Sequence, residues 1–137
     1  MEAYFNRYTG KDLSAAEEFS RLSEILQGFR PKYIAPGLLH SWANLNTALY
    51  SPAGYYKDPF GRVWLRGALK SGILGQSAFV LPEGYRPITT IYCTAQCFNG
   101  ASYIHGTLVV SPAGLVIPTA GANNEFWLDN ISLAAEQ

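Results

Sequence analysis

The sequence has few charged residues, and its charges balance. Of 137 residues 15% are charged, and ten Lys and Arg residues equal ten Asp and Glu residues. A chain without net charge has no long-range attraction to nucleic acid or to an anionic membrane. Because 14% of the residues are aromatic, a single copy would have little polar surface, which favours an oligomer or a carbohydrate-facing surface.

Long apolar segments are also absent. The sequence contains no run of about 18 apolar residues, the length that a membrane-spanning helix needs. The first residues, MEAYFNRY, lack the basic and then apolar order of a signal peptide. We therefore expect no membrane insertion, and we expect the chain to be made and assembled in the cytoplasm.

Cysteine and histidine are scarce, with two of each. Cys93 and Cys97 lie in the strand-like run ITTIYCTAQCF, where four residues span about 13 Å, too far for a disulfide. They are therefore expected to be small apolar side chains on one strand face. His40 and His105 have no metal-ligand spacing, so we expect no metal and no cofactor, although three copies of one histidine on a trimer axis stay an open alternative.

One helix is predicted near the N-terminus, within residues 11–29. Ser14 and Glu17 have the spacing of a capping box, and Gly28 is a typical helix end. Apolar residues follow at spacings of 4, 3, 4 and 3, as in a coiled-coil seam. These candidate trimerisation residues are Ala15, Phe19, Leu22, Leu26 and Phe29. Two heptads are few, so an amphipathic helix that docks on its own domain is the alternative.

After Pro31 the pattern changes to short alternating runs separated by Pro and Gly. We predict strands over residues 62–70, 89–98, 103–110 and 125–133. Ser or Asp first, Pro second and Gly fourth predicts type I turns at 51–54, 58–61 and 111–114, with further reversals at 81–84 and 99–100. The fold class is mainly β, a β-sandwich or jelly-roll-like domain over residues 34–137 after a helical segment, residues 1–33.

Catalytic motifs are missing. GxSxG, the P-loop, HExxH and GxGxxG do not occur, and Ser41 beside His40 is only a sequence neighbour pair. Two of the few carboxylates after the helix could still converge as a glycosidase pair, which spacing alone does not exclude. The expectation is that the protein is not an enzyme.

Three blocks of sequence resemble one protein family. They are AGYYKDPFGRVWLRG (53–67), LPEGYRP (81–87) and FWLDNISL (126–133). In this order they are similar to the C-terminal β-domain of bacteriophage tail-fibre and receptor-binding proteins, whose blocks read GYxKDxxGxVxLxG, LPxGYRP and W-x-LDGISF. Asn130 stands where that family often has Gly, and Leu133 where it often has Phe.

The resemblance implies a homotrimer in the phage tail. Residues 1–33 would attach to other tail or baseplate proteins, and the distal loops would contact a polysaccharide on the host surface. Two loop regions mix aromatic rings with amides and hydroxyls, as sugar recognition requires. The candidate receptor-binding residues are Phe98, Asn99, Ser102, Tyr103, Asn123, Asn124 and Phe126.

Four functional hypotheses follow. The first is a non-catalytic tail fibre or receptor-binding protein that adsorbs to a host glycan. The second is a purely structural trimeric tail or baseplate component without receptor binding. A glycan depolymerase and a cellular jelly-roll lectin are the remaining alternatives. Under the first hypothesis the aromatic candidates contact a receptor. The alternative for these side chains is structural: Phe98, Tyr103 and Trp127 would pack at strand ends or between subunits.

Overall fold

The protein is described by a computed structural model that covers residues 14–27 and 30–137. The chain divides into two compact units, residues 1–31 and residues 32–137. The first unit contains helix α1, Ala15–Gln27. The second contains ten strands: β1 Ala43–Asn44, β2 Gly54–Lys57, β3 Arg62–Arg66, β4 Ala68–Lys70, β5 Phe79–Val80, β6 Ile91–Phe98, β7 Tyr103–Val110, β8 Leu115–Ala120, β9 Glu125–Trp127 and β10 Ser132–Ala134.

The strands form two antiparallel sheets. One has seven strands in the order β1-β4-β9-β6-β7-β8-β5, and the other has three in the order β10-β3-β2. Both sheets contribute to one apolar core, in which the rings of Tyr55 and Phe79 stack with centroids 6.3 Å apart. The prediction of a mainly β, sandwich-like fold with a short N-terminal helix is confirmed.

Helix α1 begins at the predicted cap. The Ser14 hydroxyl accepts a hydrogen bond from the Glu17 amide at 3.2 Å and donates one to Glu17 Oε1 at 3.2 Å. Of the predicted seam, Ala15 is half-buried, while Phe19 and Leu22 are 55% and 41% exposed. Gly28, Phe29 and the Leu26 side chain lie outside the described residues, so the trimeric seam stays a prediction.

Residues 62–70 form two strands instead of the single one that alternation predicts. Gly67 has a φ of +104° and separates β3, in the small sheet, from β4, in the large one. A Cβ on Gly67 would lie 2.7 Å from the Ala53 nitrogen and the Pro52 oxygen, so only glycine fits this close approach. The chain changes sheets here. Alternation along a single strand would place Ala68 on the same face as the charged residues Arg62, Arg66 and Lys70, yet Ala68 is buried.

Residues 125–133 are also two strands, so the prediction of one last strand is wrong. β9 pairs with β4 and β6 in the large sheet, whereas β10 pairs with β3 in the small one. A turn joins them, in which the Ile131 amide donates to the Leu128 carbonyl at 3.3 Å. Asn130 has a φ of +66°, a conformation that Gly and Asn tolerate best.

Two of the three Ser/Asp-Pro-x-Gly turns are confirmed. The amides of Gly61 and Gly114 donate to the Asp58 and Ser111 carbonyls at 3.1 and 2.9 Å, and both glycines have positive φ. The prediction for residues 51–54 is wrong, because no turn forms at residues 52–53 and the Gly54 amide does not donate to the Ser51 carbonyl. The Ala53 amide instead donates to Asn44 Oδ1 at 2.8 Å, a distant contact that the local pattern does not contain.

The LPEGYRP segment braces the domain from within one chain. Arg86 Nε donates to the Leu81 carbonyl at 2.8 Å, and the Tyr85 ring meets the Tyr55 ring edge-on at 5.3 Å. Lys57 Nζ donates to the Gly84 carbonyl at 2.8 Å. These contacts tie the corner to β2 and to the shared core.

Candidate functional site

The β6–β7 hairpin ends in an aromatic tip. Phe98 and Tyr103 are cross-strand partners with ring centroids 4.9 Å apart, and Tyr103 is 60% exposed. Asn99 Oδ1 accepts hydrogen bonds from the amides of Ala101 and Ser102 at 2.9 and 2.8 Å. Four predicted receptor-binding residues therefore lie together, although the Asn99 oxygen is already used to hold the turn.

The second predicted loop divides into residues with different surroundings. Asn123 is structural, because its Nδ2 donates to the Gly72 carbonyl at 2.8 Å and its own carbonyl accepts the Ser71 amide at 2.8 Å. Asn124 is exposed and borders the hairpin tip, since a Cβ on Gly100 would lie 3.5 Å from its Nδ2. Asn124 thus joins the tip, while Asn123 holds the loop.

Phe126 lies in the core. It is fully buried, and its ring meets the Trp42 ring edge-on at a centroid distance of 6.0 Å. Successive side chains of a strand point to opposite faces, so β9 turns Phe126 inward and Glu125 and Trp127 outward. This burial contradicts the prediction that Phe126 contacts a receptor.

The outer face of the large sheet is rich in hydroxyl, amide and aromatic groups. Along β6, Tyr92, Thr94 and Gln96 are exposed and alternate with more buried residues. Their cross-strand partners on β7 are Val109, Thr107 and His105. We call this surface, together with Phe98, Tyr103, Glu125 and Trp127, the outer face. Its polar groups and rings are the mixture that sugar recognition uses.

Trp127 is held in one orientation on the outer face. Its indole Nε1 donates to Glu125 Oε1 at 3.0 Å. The Tyr50 ring meets the indole edge-on, with centroids 5.0 Å apart and an interplanar angle of 81°. The indole is half-buried between these contacts. Its side chain therefore has little rotational freedom to lose when a ligand binds, and the entropy cost of binding is small.

A groove of about 230 Å³ lies beside Trp127. Its lining residues come from β6, from the end of β9 and from the turn that follows: Thr94, Ala95, Gln96, Trp127, Asp129 and Asn130. Asp129 Oδ1 accepts the Gly67 amide at 2.8 Å, which fixes the carboxylate at the groove. We refer to this feature as the Trp127 groove.

Sequence reasoning did not select most of the groove residues. The alternation of β6 places Thr94 and Gln96 on one exposed face, which the sequence pattern alone could predict. Nothing local indicates that β9 pairs beside β6, because that contact joins residues nearly 30 positions apart in the chain. The groove therefore depends on the order of strands in the sheet.

Asp58, a carboxylate whose pKa is shifted by its hydrogen bonds, lies in a turn. Asp58 Oδ1 accepts the amides of Arg62 and Phe60 at 3.0 and 2.9 Å, and Oδ2 accepts Trp64 Nε1 at 3.1 Å. Hydrogen bonds to the ionised form, first that from Arg62, lower the pKa of Asp58 below its ordinary value of 3.8. Its bonds all serve the β2–β3 turn, which indicates an architectural role.

The cysteines and histidines do not form a cluster. Cys93 and Cys97 are free, and burial raises the pKa of both thiols. His40 Nδ1 lies 2.8 Å from the Ser77 carbonyl, while His105 is exposed on β7. Within residues 14–27 and 30–137, no group of three or more His, Cys, Asp or Glu side chains is placed to hold a metal. The same part of the chain has no helix long and apolar enough to cross a membrane.

The fold is similar to that of a solved phage protein. The receptor binding protein gp15 of Listeria phage PSA superposes with a TM-score of 0.61 over the whole of this chain and 88% of its own, at 15% sequence identity. No family model matches the sequence, and no curated protein matches it. The two chains thus share a fold at a sequence identity of 15%.

Proposed function

We propose that this protein is a receptor-binding component of a phage tail, which adsorbs the particle to polysaccharide on the host surface. The observation that carries the proposal is a fold shared along the whole chain with a phage receptor binding protein. The outer face adds chemistry that suits the role, because exposed Gln96 and Thr94 lie beside the oriented indole of Trp127, and exposed Tyr103 lies on the same face at the hairpin tip. Neither the shared fold nor the chemistry of the outer face requires a catalytic group, so the proposed role is binding.

In this proposal three copies assemble, and residues 1–33 attach them to other tail or baseplate proteins. Phe19 and Leu22 supply an apolar stripe on α1 for such an assembly. Three weak sites on one trimer, multiplied by several trimers per particle, raise the avidity far above the affinity of one site. Catalysis is not required, because reversible contacts in large number hold the particle.

Adsorption measures the proposal directly. The fluorescently labelled full chain is incubated with a panel of bacterial strains that includes the host, and bound protein is counted per cell. We expect binding to the host and to its purified wall or capsular polysaccharide, and competition with phage adsorption by excess protein. Failure to bind any strain that the phage infects would refute receptor binding and favour the purely structural tail component.

The same incubation separates a binding protein from a depolymerase. Polysaccharide recovered after overnight contact with the protein is sized by gel filtration. Unchanged size with retained binding supports a non-catalytic receptor-binding protein. Release of oligosaccharides would overturn the non-enzymatic part of the proposal.

A further inference from the structure

We infer that the Trp127 groove is a subsite for one neutral pyranose residue, a hexose or an N-acetylhexosamine, of the surface glycan. This inference rests on the proposed function and deepens it by assigning a ligand class to one place. The groove lies on the outer face between β6 and the turn after β9, outside the core. Its aromatic, polar and charged groups each restrict the occupant.

The aromatic wall is preorganised. Sugar rings present C–H groups on one face, and these pack on the electron-rich face of an indole. Trp127 is already oriented by its hydrogen bond to Glu125 and by the Tyr50 ring. Binding would therefore order little that is not ordered in the free protein, which is how a small site retains measurable affinity.

The polar groups can both donate and accept. Gln96 and Asn130 carry amides and Thr94 carries a hydroxyl, and all three side chains are exposed at the groove. An amide supplies donors and an acceptor, and a hydroxyl supplies either, which matches sugar hydroxyls that also do both.

Charge excludes anionic occupants. Asp129 brings a carboxylate, and none of the described residues that line the groove is cationic. Phosphate and uronate groups are bound most favourably by Arg, by Lys or by a helix N-terminus. The groove thus selects a neutral sugar. Its volume of about 230 Å³ is smaller than the ~300–1,000 Å³ of sites for drug-sized ligands, so it suits a single sugar unit.

The test uses NMR titration of the full chain with methyl glycosides of glucose, galactose and N-acetylglucosamine. Glucuronate and glycerol phosphate serve as anionic comparators. The Trp127 indole N–H resonance, assigned with Trp127→Phe, reports on the groove. We expect it to shift with at least one neutral glycoside, with a dissociation constant of about 1 to 10 mM, and to stay in place with the anions.

A matched pair of double variants locates the binding. Gln96→Ala with Asn130→Gly removes two amides from the groove, and glycine suits the positive φ at 130. Ser71→Gly with Gln76→Ala is the control: it makes the same kinds of truncation, to Gly at an exposed position with a φ of +67° and to Ala at an exposed glutamine, and neither residue lines the groove. We expect the first pair to weaken glycoside binding at least fivefold and the second to leave it unchanged.

The outcomes separate the subsite from the proposed function. No Trp127 shift with any neutral glycoside up to about 50 mM, well above the expected dissociation constant, overturns the subsite. Equal weakening by both double variants overturns it as well. If cells still adsorb the groove variant at the wild-type level, the subsite is wrong and receptor binding stands. If the glycoside binds in the groove but no host cell adsorbs the protein, the subsite stands and the proposed function fails.

Discussion

Asp129 accepts a hydrogen bond from the Gly67 amide at 2.8 Å, which joins two turns that lie 62 residues apart in the chain. Gly67 marks the point where the chain passes from the small sheet to the large one, and Asp129 lies where it passes back. The Leu128 amide adds a second bond, to the Gly67 carbonyl at 2.8 Å. The Trp127 groove is therefore built on the crossing that holds the two sheets together.

Gly67→Ala should destabilise the domain by about 2 to 4 kcal/mol. The methyl group would lie 2.7 Å from the backbone of residues 52 and 53, and the φ of +104° disfavours any side chain. Urea denaturation measures the loss. Gly37→Ala is the control, because nothing lies within 4 Å of its Cβ position, and it should change the stability by less than ~0.5 kcal/mol. Equal stability of the two variants would contradict the sheet-crossing role.

Asp58→Asn should reduce the loss of stability in acid. The folded state lowers the pKa of Asp58, so its contribution is present above the unfolded value near 3.8 and is lost as the pH falls through the folded pKa. Asparagine cannot be protonated in this range, and it accepts the three turn bonds less well. We expect lower stability than wild type at pH 7 and a smaller difference between pH 7 and pH 3. An unchanged difference in urea midpoints would contradict this role.

Phe126→Ala and Tyr103→Ala should have opposite consequences. Phe126 is fully buried, so its truncation should cost about 3 to 5 kcal/mol through a core cavity. Tyr103 is 60% exposed and loses only a cross-strand ring contact with Phe98, worth about 0.2 to 1 kcal/mol. If the hairpin tip contacts the receptor, Tyr103→Ala should still reduce adsorption to host cells. Thermal unfolding and cell binding, measured on the same samples, separate the two effects.

The oligomeric state should depend on the apolar stripe of α1. We expect the full chain to have the mass of three copies by light scattering. Phe19→Ser with Leu22→Ser should shift this mass toward one copy or weaken assembly at low concentration. Arg21→Ser with Glu24→Ser changes exposed positions of the same helix outside the seam and should leave the mass unaltered. A monomeric wild-type chain would contradict the trimer.

Cys97 should react with iodoacetamide only after unfolding. It is buried, and a Cβ on Gly121 would lie 2.6 Å from its Sγ, which shows how closely the backbone covers it. Burial raises the pKa of the Cys97 thiol, so little reactive thiolate exists at pH 8. Cys93 is half-buried and should react at an intermediate rate. Labelling of native Cys97 at the rate of free glutathione would contradict this packing.

Local patterns in the sequence determined the features whose contacts are local. The Ser14 cap and the turns at Asp58–Gly61 and Ser111–Gly114 depend on bonds between residues three apart. Strand β7 follows its predicted limits, and β6 begins two residues later than predicted, because alternation and the Asn99–Gly100 turn define that hairpin.

Only the tertiary structure decided which sheet each strand joins. The runs 62–70 and 125–133 alternate as single strands, yet each is divided between the two sheets. Each run is divided at a residue, Gly67 or Asp129, that contacts residues far away in the chain. The alternation of apolar and polar residues carries no information about such distant contacts. The burial of Phe126 and the meeting of Gln96 with Trp127 in one groove follow from that long-range pairing. A period of two assigns a side chain to a face, but the neighbouring strands determine whether that face is core or surface.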